Sequence, residues 1–380
     1  MDILEKVRIL GDAGKYDVCA SSASKRVENT NDRVGNAAAA GICHSFTPDG
    51  RCVSLFKMLY TNRCGFDCNY CGNRCNGNGN HQHTAFTPTE LADVFMKLYL
   101  SNYVEGLFLS SGIGKDPDTT QAEIIECVRL LRDVHKYRGY IHLKILPGVS
   151  YELVKQTAEL SDRLSINLEA SSQSRLSDIS STKDYKNDIL KRQSWIKGFE
   201  KKGLATSGQT TQFIVGASDE TDLEILGMLD WEYKNMQLKR GYFSAFSPIP
   251  DTPLMHHAQT PMMRKHRLYQ TDWLLRVYKF PLSDIKMITN DGFLPPEDPK
   301  LVLAQETFDG ALDINEAGYN ELIRVPGIGP VSAQRILNLR RSRQSISKKA
   351  ELQNMGVVVK RALPFIKIGG YSQGTLNQWV

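Results

Sequence analysis

Strand-like and helix-like stretches alternate between residues 53 and 250 of this 380-residue chain, and that alternation limits the fold more than any other feature. Six β-rich apolar runs stand out: VSLFKMLY (53–60), GLFLSSG (106–112), YIHLKILPG (140–148), RLSINLEA (163–170), TTQFIVG (210–216) and GYFSAFSPIP (241–250). Helical stretches separate them at about 87–103, 119–137, 150–160, 184–202 and 219–236. The first opens on a Thr-Pro cap signal, and the second spaces Ile124, Ile125, Val128 and Leu131 along one helical face. Repeated strand–helix–strand units give parallel strands with right-handed crossovers. Six units fall short of the eight in a closed barrel. The predicted core is therefore α/β, an open partial (β/α)6 barrel over residues 53–292, with its chemistry at the C-terminal ends of the strands.

The loop after the first strand reads RCGFDCNYC (63–71) and places Cys64, Cys68 and Cys71 in C-x3-C-x2-C spacing. A closed zinc site asks for four ligands, which here requires a histidine such as His81 or His83. Three thiolates on one loop can instead hold an iron–sulfur cluster and leave one iron open. Cys127 falls on an apolar helix face and reads as core, and Cys75 as incidental. Cys19, Cys43 and Cys52 precede the barrel in an N-terminal extension, residues 1–52. They could gather over the barrel mouth around a second cluster or zinc, or supply a thiol hydrogen donor; the plain alternative is unrelated reduced thiols. The N-terminus MDILEKVRIL lacks the apolar core of a signal peptide, and no run of 18 apolar residues occurs, so a cytoplasmic protein with reduced thiols and no membrane contact is expected.

The other end of the chain differs in charge. Ten Lys and Arg lie between Glu321 and Lys367 against Glu321 and Glu351 alone, although the whole chain is only +5. A basic end on a near-neutral body suits a polyanion partner, and equally a solvated helical surface. Within it LIRVPGIGPVSAQRIL (322–337) reads as helix, hairpin, helix, with Gly327 and Gly329 allowing a tight turn and Pro330 starting the second helix. The free N–H groups at that helix start can meet a phosphate oxygen. A second, degenerate hairpin follows in ELQNMGVVVKRALPFI (351–366). The Pro-rich stretch FLPPEDPK (293–300) marks the expected boundary, with a C-terminal all-α domain at 300–367 and a tail at 368–380. Helix 264–278 adds Arg264, Lys265 and Arg267 to the basic path, and its Leu268, Trp273, Leu274, Leu275 and Val277 read as core.

The cysteine spacing, with Tyr70 before the last cysteine, resembles the radical S-adenosylmethionine (SAM) superfamily, and the C-terminal hairpins resemble the helix-hairpin-helix family of DNA binders. The first resemblance implies a [4Fe–4S] cluster on Cys64, Cys68 and Cys71, with SAM on the open iron and a 5′-deoxyadenosyl radical as the product of its cleavage. It implies SAM contacts from Ser110, Ser111 and Gly112, where the superfamily usually carries Gly-Gly-Glu, and from Asn167, Glu169, Gln212 and Gly216. Lys144, at the rim end of the third strand, would bind the SAM carboxylate or a substrate phosphate, or stand in a surface salt bridge. The second resemblance implies backbone contacts to duplex DNA through Gly327, Gly329, Arg335, Arg340, Arg341, Lys360 and Arg361. The pairing is similar to a family of DNA modification or repair radical SAM proteins, distantly like spore photoproduct lyase, over about residues 3–367. Stretches such as GICHSFTPDGRCVSLFKMLYTNRC, QFIVGASDETDLEIL and YFSAFSPIPDTPL fit it. This implies a flavodoxin- or ferredoxin-like reductant as a further partner. Two other readings stay open: a radical SAM enzyme acting on RNA or tRNA, and a metal-stabilised DNA-binding adaptor without catalysis.

Overall fold

Seven strands, one more than the alternation predicts, form the main sheet of the protein, seen in a computed structural model that describes residues 1–14, 41–46, 52–75, 82–369 and 371–372. In chain order they are β1 (Ile42–Phe46), β2 (Cys52–Leu59), β3 (Gly106–Ser110), β4 (Tyr140–Lys144), β5 (Arg163–Ser165), β6 (Gln209–Val215) and β7 (Arg240–Ala245), and they keep that order in space. From β2 to β7 every pair is parallel, giving the predicted open partial barrel. The unforeseen β1 lies antiparallel on β2 with Cys43 opposite Leu55. It extends the sheet at an edge, in a stretch whose flanking residues 15–40 and 47–51, Cys19 among them, lie outside the described residues.

Helices α1 (Ile3–Ala13), α2 (Pro88–Leu100), α3 (Pro117–Arg129), α4 (Tyr151–Leu160), α5 (Gln173–Ile179), α6 (Lys191–Glu200) and α7 (Asp222–Asn235) accompany the strands. Their starts follow from local chemistry. Thr87 and Glu90 form a capping box with Pro88 in the first turn of α2, and the Asp116 carboxylate accepts from Thr119 N at the start of α3. The apolar stripe of α3 buries Ile124, Ile125 and Val128, as its spacing predicts, and Cys127 is fully buried beside them. All five residues of β3 are buried, as in strands covered on both faces. Phe56, Phe95, Phe108, Phe213 and Phe243 are among the largest fully buried side chains, each contributing roughly 2–3 kcal/mol by removal from water.

The chain divides into two compact units, Met1–Glu220 with Trp231–Pro261 and Thr221–Asp230 with Met262–Val380. The second contains α8 (Met262–Arg276), α9 (Leu282–Met287), α10 (Pro299–Thr307), α11 (Tyr319–Leu322), α12 (Pro330–Arg341), α13 (Lys349–Asn354) and α14 (Val359–Ala362). A small sheet of β8 (Leu312–Asp313), β9 (Ile366–Ile368) and β10 (Tyr371–Ser372) accompanies these helices. DINEAGYNEL is helical only at its end, because the Asp313 carboxylate accepts from Asn315 N and Asp313 O from Ala317 N, closing a turn there instead. On α8, Leu268, Leu274 and Leu275 are buried, whereas Trp273 is half exposed with Arg276 over its ring. Arg264 pairs with buried Asp222 at 2.7 Å, and Arg267 donates to Pro296 O at 2.8 Å, so both serve the fold. No helix among the described residues is long and apolar enough to cross a membrane.

Candidate functional site

β2 delivers the chain into the cysteine loop, and the loop is fastened on several sides. Gly65 N donates to Ile113 O at 2.8 Å, Cys75 N to Phe66 O at 2.8 Å and Cys71 N to Cys68 O at 3.1 Å. Gly112, at the end of β3, donates to Thr61 O at 2.7 Å, and a Cβ there would stand 2.3 Å from Arg63 O. No other residue permits that approach of β3 to the start of the loop. A further fastening comes from the segment after α5. The Asp67 carboxylate accepts from Ser180 Oγ (2.8 Å), Ser181 N (3.1 Å) and Oγ (2.5 Å), and Thr182 N (3.3 Å) and Oγ1 (2.7 Å). Asn69 N adds a bond to Ile179 O at 2.8 Å. Burial alone would raise the Asp67 carboxyl, but the donors from Ser181, Thr182 and Ser180 outweigh it and hold the group well below its ordinary range.

All three loop cysteines line one cavity in the first unit, together with Tyr70, Ser110, Ser111, Gly112, Lys144, Asn167, Glu169, Lys183 and Gln212. Every candidate of the strand ends is thus brought together except Gly216. Its N–H is taken by Glu220 Oε1 at 2.5 Å, and its carbonyl lies 3.1 Å from His257 Nε2. Cys52 is exposed at the start of β2, a full strand away from the cysteine loop at the other end, and Cys43 pairs in register with Leu55 of β2. Neither lines the cavity, so the expectation that they gather over the barrel mouth with Cys19 is not met by these two; Cys19 itself lies outside the described residues. His83 is exposed and also absent from the lining, and His81 is not described.

The cavity wall holds polar atoms that the protein leaves unpaired. Ser111 Oγ, Asn167 Oδ1 and Glu169 Oε2 are buried without a hydrogen-bond partner. Asn167 Nδ2 donates to Glu169 Oε1 at 3.2 Å, so the two side chains meet, though not through strand alternation: β5 ends at Ser165 and Glu169 has φ +65°. That left-handed backbone costs a non-glycine residue about 1–3 kcal/mol. Lys183 Nζ sits 3.8 Å from Glu169 Oε1, with both side chains about nine-tenths buried. Burial works against the Lys183 charge, but the neighbouring Cys68 and Glu169 outweigh it and raise its pKa. Burial pushes the Tyr70 hydroxyl well above its usual range, with Glu169, Cys68 and Cys71 adding to the effect. Burial also raises the Cys64 thiol, and raises Cys71 to about 12 with help from Cys68. Without a bound cation these thiols favour the protonated form.

These residues fit the groups that the cysteine spacing implies. Among the described residues, no group of three or more His, Cys, Asp or Glu side chains is gathered to hold a single metal ion. A cluster places one iron at each thiolate and so suits cysteines spread along a cavity wall. The unpaired oxygens and buried Lys183 suit a polar, charged small molecule in the same space.

In the second unit the sequence-predicted hairpins are present. Gly327 has φ +88° and a Cβ there would stand 2.4 Å from Val358 O; Val358 N in turn donates to Gly327 O at 2.9 Å, fastening one hairpin turn to the other. Gly329 caps α12. Lys360 and Arg341 are exposed, the latter donating to Asn338 Oδ1 at 3.3 Å, and exposed Arg335 donates to Met355 O at 3.3 Å. Arg361 pairs with Asp298 at 2.9 Å, and Arg340 donates to Ala317 O and Glu316 O, so these two cations are engaged within the unit.

Comparison with known families matches the radical SAM superfamily over residues 58–231 and a helix-hairpin-helix motif over residues 309–363. Residues 58–231 carry a radical SAM domain. That domain type uses a [4Fe–4S] cluster and SAM, and the three cysteines, the strand-end residues and the cavity all lie on elements it spans or adjoins. Similar solved structures include HydG, a maturase of the [FeFe]-hydrogenase, at 12% identity and TM-score 0.45, covering 57% of this chain and 48% of that one. The FeFe-hydrogenase maturase HydG from Carboxydothermus hydrogenoformans is similar at 15% identity and TM-score 0.46, covering 57% and 50%. Methylornithine synthase (PylB) is similar at 13% identity and TM-score 0.46, covering 57% and 60%. The chain therefore spans about half to three-fifths of the length of these proteins. A search of curated proteins gave no match.

Proposed function

We propose that the protein is a radical SAM enzyme of the cytoplasm that modifies or repairs DNA, its radical SAM domain supplying the chemistry and its helix-hairpin-helix unit holding the nucleic-acid backbone. The observation that carries the chemical half is the convergence of Cys64, Cys68 and Cys71 with the unpaired oxygens of Ser111, Asn167 and Glu169 on one cavity. Cys64, Cys68 and Cys71 would hold the cluster; Ser110, Ser111, Gly112, Asn167, Glu169 and Gln212 would hold SAM. When bound, cluster and cofactor would supply the radical chemistry for hydrogen abstraction from a nucleotide. Ser111, Asn167 and Glu169 have acceptor capacity to spare for hydroxyl and ammonium groups, which orients a ligand and restricts water. Lys144, buried at the end of β4 on the same cavity, is placed for an anionic group of cofactor or substrate. A target base would leave the stack to reach so enclosed a site.

The nucleic-acid half rests on the hairpin turn at Gly327 and Gly329, the α12 start beyond it, and the exposed Arg335, Arg341 and Lys360. These groups suit phosphates and read no bases. The reductant belongs to the flavodoxin or ferredoxin class. The test is anaerobic reconstitution followed by nucleoside mass spectrometry after incubation with reductant, SAM and duplex DNA, single-stranded DNA or tRNA. A new nucleoside from DNA, lost in Cys64→Ala, supports the reading. Product from tRNA alone moves the substrate to RNA. Protein that binds DNA but takes up no iron and cleaves no SAM overturns the enzyme.

A further inference from the structure

The segment Ser180–Asp184 after α5 has two jobs in the first unit, and only one of them is mechanical. Ser180, Ser181 and Thr182 clamp Asp67, as described above. The next residue, Lys183, turns into the cavity. Its side chain is 7% exposed, its Nζ is 5.7 Å from the centre of the Phe66 ring and 3.8 Å from Glu169 Oε1. It lines the same cavity as Cys64, Cys68 and Cys71, and Phe66, the ring it approaches, lies between Cys64 and Cys68 in the loop. Ser180 Oγ meets the Cys68 sulfur at 3.9 Å on the same side. A cation taken this far from water needs anions around it, and one carboxylate at 3.8 Å is a loose match. The three cysteines on the same cavity would supply further negative charge as thiolates.

We infer that Lys183 is a redox-tuning residue, its fixed positive charge beside Cys68 and Cys64 raising the reduction potential of the cluster those cysteines carry. This rests on the cluster assignment above. Reduction adds an electron to a cluster already made anionic by its thiolates. A nearby cation stabilises the reduced form more than the oxidised one, and a nearby anion does the reverse. Net local charge, hydrogen bonds to sulfur and solvent exposure are the levers that set such potentials. Low exposure here leaves the charge weakly screened. Lys183 and Glu169 form an opposed pair: the lysine eases electron entry and the glutamate resists it. The clamp on Asp67 gives the lysine a fixed distance from the sulfurs, because Ser180–Thr182 are held to the cysteine loop itself.

The test is an anaerobic redox titration of the reconstituted full-length protein without SAM, followed by the spectrum of the reduced cluster. Lys183→Met keeps the length of the side chain and removes the charge; its midpoint should move to a more negative potential. Lys183→Arg should stay near wild type, and Glu169→Gln should move the other way. An unchanged or more positive midpoint in Lys183→Met overturns the inference. An unchanged midpoint combined with weakened SAM binding shows that Lys183 serves only the cofactor. If Lys183→Met retains no cluster, Glu169→Gln decides: a midpoint that fails to rise refutes the charge argument. Wild-type protein that takes up no cluster at all rejects the underlying cluster assignment instead, which separates the two failures.

Discussion

Replacing Asp67 by alanine should loosen the cysteine loop by an amount that can be worked out from its contacts. Five donors converge on its two oxygens: the Ser180 hydroxyl, the Ser181 and Thr182 amides, and the Ser181 and Thr182 hydroxyls. The three hydroxyls can turn to water in the variant. The two amides have no such freedom. Hydrogen bonds to a charged acceptor are worth about 1.5–3 kcal/mol each, and less when shared or near solvent, so Asp67→Ala should lose about 3 kcal/mol. Asp67→Asn keeps one acceptor oxygen and should lose about half of that. Because the folded-state pKa of Asp67 is depressed, the folded protein binds fewer protons than the unfolded chain around the ordinary carboxyl range. Its stabilisation is present above that range and disappears as pH falls through the depressed value. Chemical unfolding followed from pH 7 to below pH 4 should show the wild-type advantage over Asp67→Ala nearly intact at about pH 4 and shrinking below it. Iron content after reconstitution should fall in the same variant, since the clamp sits between Cys64 and Cys68. Equal stability of the two proteins at pH 7, with equal iron content, would refute the clamp.

Two further outcomes bear on the second unit. Gly327→Ala forces a Cβ against Val358 O and a non-glycine residue into φ +88°, so the unit should lose about 2–4 kcal/mol and duplex DNA binding should weaken, as read by denaturation and fluorescence anisotropy. Lys300, at the start of α10, is buried with Nζ 2.5 Å from Ile328 O of the hairpin and 4.4 Å from the Tyr278 ring centre; burial, aided by nearby Arg361, lowers its pKa to about 7. Its folded form therefore binds fewer protons than the unfolded chain between about pH 7 and 10.5, so stability rises with pH across that window. Lys300→Met should remove up to ~1.4 kcal/mol per pH unit of that slope, measured by denaturant unfolding of both proteins from pH 7 to 10.

The sequence exposed the barrel because buried parallel strands carry continuous apolar runs, as in GLFLS of β3, and because the helices between them announce their starts with Thr87 and Pro88 or Asp116 and Pro117. It exposed the cavity because all the strand ends face one rim, so Ser110, Lys144, Asn167 and Gln212 could be named from position alone. β1 was missed since ICHSF is short and its pairing depends on a non-local partner, β2. Gly216 lies outside the cavity lining, its N–H taken by Glu220 four residues on, a local backbone contact that the sequence does not announce. Asp67 and Lys183 were missed for a different reason. They are separated by more than one hundred positions in the chain, and only the return of the segment after α5 brings Ser180–Thr182 onto the cysteine loop. The one local clue was SSTKD at 180–184, a run of hydroxyls and charge too polar for a simple connection between helices.

The cavity is expensive to maintain, and that expense bears on what it is for. Three buried oxygens that no protein group pairs would cost roughly 1–3 kcal/mol each if no donor reached them, and the left-handed backbone of Glu169 adds a similar amount. The sum is comparable with the whole net stability of an ordinary domain. Glu169 is nevertheless held firmly: its N–H donates to Gln212 O at 2.9 Å, its carbonyl accepts from Ile214 N at 2.8 Å, and Tyr185 OH anchors the next residue through Ala170 O at 3.1 Å. A site relaxing toward its own best energy would rotate these side chains to pair with one another or with water. This one fixes the backbone on both sides of the glutamate and leaves the outward oxygens open. A ligand that offers donors at those positions meets acceptors whose backbone is already fixed, so specificity for a polar, donor-rich molecule is built into the wall.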